Sequence, residues 1–359
     1  MRSLSHRWPV LALTGALVVA ACGGSASSPA PTTAPSVAPS TGASAAPSDG
    51  ATPAPTEMPG TKEFKIAFTS PGLSTSPFLA ALDAMESDGY SIDITILDAS
   101  ELLAEGTAAG EFAFASGANN GILAAVEKGA NLKAIMTRVQ NEWTLYARND
   151  ITTCEGLAGK RVAIHSQGAV STAMVRNYIQ ENCPGTEPEY VVIEGSPNRV
   201  AALLADQIDA SPVELGDSIQ IDAEASDRFS LLTSFAADLP DLQTTSVYVN
   251  GDFAEENPGT VLALVKALLD QFNKIEGDAA YLKSIAEEFV PDAINAETID
   301  AATEKYVELK MFPVDGGVTA ERMQYTAEFF GPDGTGATKT VIAADQWTDL
   351  SFLEMALGR

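Results

Sequence analysis

The chain has 359 residues, of which 45% are hydrophobic and 19% charged, and it carries a formal charge of −27. That length supplies apolar material for one large or two medium domains; the acidic balance excludes a nucleic-acid binder, which needs basic patches, and docking on anionic lipid. Net charge governs solubility and association rather than site chemistry, so it names no ligand.

Arg2 and Arg7 precede an uncharged run from Val10 to Val19 that closes on Ala20, Ala21 and Cys22. A basic start, an apolar stretch too short to span a bilayer and small residues at its end describe a secretory signal. The cut site ends in cysteine and in this resembles the bacterial lipobox, which implies removal of residues 1–21 and a lipid on Cys22. An ordinary signal peptide with an incidental cysteine, or an uncleaved anchor, is the alternative. Losing Arg2 and Arg7 leaves a mature charge of about −29.

Residues 22–60 hold eight prolines among Ser, Ala and Thr, and their only charges are Asp49 and Glu57. With so little to bury, the segment cannot offset the entropy of ordering and is expected to be an unfolded tether. At about 3.1 Å per residue in polyproline conformations it reaches on the order of 100 Å. After the leader, no apolar run approaches the length of a membrane span.

From residue 64 onward, short apolar runs alternate with helical patterns. The first series gives strands at 64–68, 92–97, 112–115, 132–139 and 145–148, with helices at 77–85, 100–109 and one ending at 128. A second series begins near Asp150: strand 161–164, helix 169–182, strand 190–193, helix 197–206, then strands 208–213 and 229–235. Ser196 suits the N-cap of helix 197–206 and Pro197 its first turn. A strand at 245–249 comes last. Beyond it the pattern is helical, with one helix opening at Asn257 and Pro258 and others near 278–289, 297–310 and 319–330. Such alternation predicts mostly parallel sheets with helices on both faces. A helical tail without its own sheet must pack on one already built. Lobe 1 is therefore expected from 61–149 plus 245–359 and lobe 2 from 150–244, with two crossings as a hinge.

Cys154 precedes strand 161–164, and Cys183 ends helix 169–182. A strand and its returning helix bring these ends to the same side of a sheet, so a disulfide is geometrically sensible, two free buried thiols being the alternative. No Cys-x-x-Cys or His-x-x-x-His spacing occurs, and His165 is the only histidine after the leader, so neither a metal nor a cofactor is expected.

Two α/β lobes joined by two strands place the C-terminal ends of both sheets at one cleft, where ligands bind in such folds. Four stretches then carry a resemblance: Ala-Ala-Gly-Glu-Phe-Ala-Phe at 108–114, Gly-Leu-Ala-Gly-Lys-Arg-Val-Ala-Ile at 156–164, Asp-Gln-Ile-Asp-Ala at 206–210 and Asp-Leu-Ser-Phe-Leu at 349–353. Together they resemble the substrate-binding proteins of ABC importers, in the nitrate/sulfonate/taurine and thiamine-pyrimidine group. The resemblance implies an α/β, bilobed, type II-like periplasmic-binding-protein fold, with two mostly parallel sheets flanked by helices and a two-strand hinge. It implies a monomer that performs no catalysis and delivers a small-molecule ligand to an ABC permease, held at the extracytoplasmic face of the cell membrane through its N-terminal lipid.

It further implies a pocket built from the loops after the strands. Carried onto this chain, the ligand-binding residues are Ser74, Ser116, Asn119, His165, Gly168, Ser171, Thr172, Ser196 and Glu214. Several of these precede helices, whose free N–H groups favour an anion or a polar ring. Glu214 would favour an amine, amidine or aminopyrimidine, while Trp143 and Tyr146 stand near the first hinge. The loops offer no arginine and Arg199 is expected to face solvent, a departure from a strict sulfonate binder. A Ser–His–acid hydrolase would have to use His165 and lacks a Gly-x-Ser-x-Gly elbow. A ligand-sensing or adhesive lipoprotein using the same cleft is the other alternative.

Overall fold

The computed structural model describes residues 58–69, 71–97 and 100–359. The leader, the lipidation site Cys22 and the tether up to residue 57 lie outside the described residues. Among the described residues, ten strands run β1 Glu63–Thr69, β2 Ser91–Leu97, β3 Phe114–Ala118, β4 Leu132–Val139, β5 Thr144–Arg148, β6 Arg161–Ile164, β7 Glu189–Val192, β8 Ala210–Val213, β9 Phe229–Ser234 and β10 Thr245–Asn250. They form two five-stranded sheets, ordered β2-β1-β3-β10-β4 and β7-β6-β8-β5-β9.

Both sheets follow one plan. β10 pairs antiparallel with β3 and β4, and β5 pairs antiparallel with β8 and β9. Each sheet is therefore mixed: four strands share a direction, and the antiparallel one arrives from the other lobe. The chain leaves the first sheet after Val139 and returns to it at Thr245. This moves one boundary expected from the sequence. The strand at 145–148, expected in lobe 1, belongs to the second sheet, which begins at Thr144. Apolar patterning shows that β5 is buried but not which sheet buries it, because its partners β8 and β9 come more than sixty residues later.

Alternation sorts the second sheet's side chains onto two faces. Ala163, Tyr146 and Val213 pack with Val200, Leu203, Ile221 and Phe229 in a core under one face. Val162, Leu145 and Ala147 join the larger core that runs through the first lobe. There the helix Pro258–Ile275 opens with proline in its first turn and buries Val261, Leu264, Val265, Leu268 and Phe272 on one stripe. It packs against the helix Ser76–Ser87, so the C-terminal tail does cover the first sheet. At about 1.5–3 kcal/mol for each fully buried side chain, that stripe is a large share of the lobe's stability.

Several elements differ from their expected positions, three of them at the cleft. β3 lies two residues later than read, because Ser116 pairs with Phe68 and Val247 inside the sheet and not in a loop. The helix Leu215–Ala225 was not expected at all. Ser196 is the first residue of the helix Ser196–Leu204 and not its N-cap, a position held by Gly195 at φ 77°, in the left-handed region that glycine enters freely. Cys154 and Cys183 are bonded, with Cα atoms 5.8 Å apart. Among the described residues, no helix is long and apolar enough to cross a membrane.

Candidate functional site

The C-terminal ends of β1, β3, β4, β6, β7 and β8 converge between the lobes on a cleft of about 490 Å³. Lobe 1 contributes Thr69, Gly117, Ala118, Arg138 and Thr245, the crossing contributes Trp143, and lobe 2 contributes His165, Ala169 to Ser171, Ser196, Arg199 and Glu214.

Two arginines define its electrostatics. Arg199 is fully buried; its Nε donates to the Pro212 carbonyl at 3.0 Å and its Nη1 to the Ile193 carbonyl at 3.2 Å. Its Nη2 is buried without a hydrogen-bond partner, and the guanidinium carbon lies 5.8 Å from the Trp143 ring centre. Burial lowers its pKa to about 10, against the opposing pull of Glu214 and Asp217. Arg138, near the end of β4, is buried with Nε likewise unpartnered. The expectation that Arg199 faces solvent is thus overturned. Position 199 lies in the first turn of an amphipathic helix, on the side turned toward the sheet.

Acids stand beside these cations. Glu142 is buried in the crossing and takes a short hydrogen bond from the Tyr306 hydroxyl. Burial, then the charge of Glu214, pushes its pKa up to about 8. Glu214 is raised by burial against the pull of Arg138 and Arg199, and Asp217 rises to about 7 through burial and the Glu214 charge. Tyr306 is held well above its usual range, first by burial and then by Glu142.

Glu214 also lines a second cavity, of about 410 Å³, on its other side. That chamber is walled by Gly72 and Leu73 of lobe 1, by Asp217 and Gln220 of lobe 2, and by the tail from Ala293 to Tyr306.

Of the nine residues carried over by resemblance, His165, Ser171, Ser196 and Glu214 line the cleft. His165 Nδ1 accepts the Gly195 N–H at 3.1 Å, so that nitrogen carries no proton. Ser196 Oγ accepts the Glu214 N–H at 3.0 Å and fixes the start of the following helix. Ser74 is buried one layer back, beside the Glu142 carboxyl.

The other four do different work. Ser116 sits inside β3, while Asn119 Nδ2 donates to the Gln243 carbonyl at 2.8 Å and ties the return crossing down. Thr172 Oγ1 closes its own turn on the Ser166 carbonyl at 2.7 Å. Gly168 faces the other lobe: a Cβ there would fall 2.2 Å from Glu101 Oε1. Sequence reasoning missed Arg138, Glu142 and Asp217. A lone arginine near the cleft end of an otherwise apolar strand was the one available signal. Tyr146 turns away from the cleft and donates to Asp222 at 2.9 Å. Among the described residues, no group of three or more His, Cys, Asp or Glu is placed to hold a metal ion.

A family model described as NMT1/THI5 like matches residues 88–274. No curated protein matches the sequence. Many solved structures share the fold. The alkanesulfonate-binding protein of Xanthomonas axonopodis pv. citri, bound to MOPS, is 16% identical over 81% of this chain and 99% of its own, with a TM-score of 0.63. The periplasmic nitrate-binding protein of Synechocystis PCC 6803 is 11% identical over 84% and 89%, with a TM-score of 0.59. A Candida albicans gene product, described as exhibiting the generic periplasmic-binding-protein fold, is 14% identical over 82% and 94%, with a TM-score of 0.57.

Proposed function

Because the chain belongs to the NMT1/THI5-like family, we propose that it is the extracytoplasmic solute-binding component of an ABC importer, tethered by lipid on Cys22. Its solute is a small organic molecule bearing an anionic group of the sulfonate or nitrate type. The observation that carries this reading is the pair of buried nitrogens, Arg138 Nε and Arg199 Nη2, that lack hydrogen-bond partners in a cleft between two lobes. Dry, unpartnered guanidinium N–H groups are costly, and an anion is the partner that removes the cost. Fold neighbours described as binding alkanesulfonate and nitrate support the same class. The helix that begins at Val170 adds N–H groups without intrahelical partners at the same cleft.

The mechanism that follows is capture and closure. Among the described residues, 140–143 and 235–244 are the two passages between the sheets, so the lobes turn about them. Solute bridging Arg138 of one lobe and Arg199 of the other stabilises the closed arrangement, and the closed form is what the permease accepts.

A thermal-shift screen of nitrate, alkanesulfonates, aminopyrimidine thiamine precursors, amino acids and polyamines tests this, followed by recovery of the bound molecule. A solute at a hundred times its Kd adds about 2.7 kcal/mol. The expected result is an anion that raises Tm and is recovered chemically unchanged. No stabilising anion, or one recovered as a different product, sinks the reading.

A further inference from the structure

The two crossings are held differently on their two sides. Toward lobe 2 they are bonded to each other: Asn141 Nδ2 donates to the Phe235 and Leu239 carbonyls at 2.8 and 3.2 Å, and the Ala236 N–H donates to the Trp143 carbonyl at 3.2 Å. Asn141 is buried, so water does not compete for these bonds. Toward lobe 1 the crossings are bonded to the C-terminal tail instead. The Gln140 N–H donates to the Met311 carbonyl at 3.0 Å, and the Gln243 N–H to Thr326 Oγ1 at 3.0 Å.

One side chain reaches both crossings at once. Arg322 Nη2 donates to Gln140 Oε1 of the outgoing crossing and to the Pro240 carbonyl of the returning one, each at 2.8 Å. Its Nη1 donates to the Gly317 carbonyl at 2.7 Å, and its Nε lies 3.7 Å from Asp241 Oδ1. Gln140 Oε1 also accepts from Gln243 Nε2 at 3.2 Å, which links the crossings a second time. The root of Arg322 is fixed, because its own N–H donates to Thr319 Oγ1, the cap of the helix Ala320–Phe329. Thr326 stands one turn further along the same face. A planar fork of donors serves several acceptors in set directions, which a lysine ammonium on a flexible stem does not.

We propose that Arg322 is a positioning residue for closure: it pins both crossings to lobe 1, so that the lobes turn about a single axis through the Gln140–Asn141 and Leu239–Pro240 links. The assignment rests on the capture-and-closure reading above. Gln140 and Pro240 are the residues bonded to Arg322, and Asn141 and Leu239 are the residues bonded to each other, so the change of partner falls at these two links. A turn closed from the Leu242 N–H to the Leu239 carbonyl at 3.1 Å keeps the second link short. A hinge with one axis brings Arg138 and Arg199 together in one relative orientation. Without the pin, the open lobes spread over orientations that a solute must select among, at a cost in affinity. Neither Arg322 nor Gln140 lines the cleft, so their substitution leaves its lining residues in place.

The test measures interlobe distances by pulsed electron resonance between spin labels at Glu86→Cys of lobe 1 and Asp227→Cys of lobe 2, both exposed positions. The full chain carries Cys22→Ser, and Cys154 and Cys183 are already bonded, so labels attach only at the introduced cysteines. A pair within lobe 1, Glu86→Cys with Glu354→Cys, is the control. In the ligand-free protein, Arg322→Ala is expected to roughly double the width of the interlobe distribution and to leave the control unchanged. Gln140→Ala removes the acceptor shared by Arg322 and Gln243 and broadens the distribution in the same sense. An interlobe width unchanged in Arg322→Ala overturns the pin. So does a control pair that broadens as much as the interlobe one, which would make Arg322 an ordinary brace of lobe 1. If Arg322→Ala does not fold, the width in Gln140→Ala decides by the same criteria. Nitrate and propane-1-sulfonate are then added to the unmodified chain. An interlobe distance that shifts with neither counts against closure on such anions, while the ligand-free widths still decide the pin.

Discussion

Asn120 of the first lobe donates a 2.5 Å hydrogen bond from Nδ2 to the Gly168 carbonyl of the second. Beside it, Ser166 Oγ donates to Glu101 Oε1 at 2.9 Å, again across the boundary. On the tail side, Asn295 Nδ2 donates to Glu224 at 3.0 Å. These contacts at the cleft's rim are polar and form and break at little net cost. That is the property a reversible closure needs.

Gly168→Val places carbon where the Glu101 carboxyl lies, since even a Cβ would fall 2.2 Å from its Oε1. The expected outcome is a solute affinity about tenfold weaker with little change in Tm. In solution scattering, the solute-saturated variant should keep a larger radius of gyration than the unmodified protein. Identical radii would show that this contact does not govern closure.

The ligand-free protein loses stability as pH rises from 6 to 9. Glu142 titrates near 8 in the folded chain, above an ordinary glutamate, so the folded state holds a proton that the unfolded state has released. Its contribution is complete below the unfolded pKa and is lost as pH climbs through 8; Asp217, near 7, acts in the same direction. The effect is on the order of a few kcal/mol. Glu142→Gln keeps the site neutral and should flatten the dependence of Tm on pH. A variant with an unchanged profile would remove Glu142 from the account.

Arg199→Ala removes a buried cation that pulls on Glu214 and Asp217 and takes one donor each from the Pro212 and Ile193 carbonyls. Each hydrogen bond made by a charged group contributes about 1.5–3 kcal/mol. Urea unfolding should show that loss, and adding Glu214→Gln should return roughly 0.5–3 kcal/mol of it. Strict additivity of the two substitutions would mean that the charges do not interact.

Replacing both Cys154 and Cys183 by serine opens a loop of sequence separation 29. The chain-entropy cost is about 3–4 kcal/mol, several degrees of Tm. Both cysteines lie at the end of the second sheet away from the cleft, before β6 and after its returning helix. Solute affinity, read by calorimetry, should therefore stay within twofold. A larger change would tie the bridge to the site.

Most strands were legible because their apolar runs are short, β-branched and bounded by Gly, Pro or polar turns. The helix Leu215–Ala225 escaped notice because Ile219, Ile221, Ala223 and Ala225 alternate with polar residues, a strand-like period of two. The fold buries instead Ser218, Ile221 and Ala225, on one helical stripe. With that helix went Asp217. The cleft's loops could be placed from strand ends, and four of the nine residues read from them line it. Ser116 does not line it, because β3 runs three residues further than its apolar core suggests. Arg138 and Arg199 were hidden for a different reason: burial of a charge is decided by long-range neighbours, which local pattern does not contain.

The strand register also bears on how such a protein can diversify. Val139 pairs with Thr245 in the first sheet, and Thr144 pairs with Ser234 in the second. At both seams the outgoing and incoming chains are next-door neighbours, roughly 5 Å apart. Residues 144–234 therefore form one uninterrupted cassette whose ends lie side by side, and a short turn from 139 to 245 would close the frame left behind. Exchange of that cassette between related genes would graft a new His165, Ser171 and Glu214 half-pocket onto a resident Arg138 half while leaving each sheet whole. Specificity could then be reshuffled in a single crossover event rather than residue by residue.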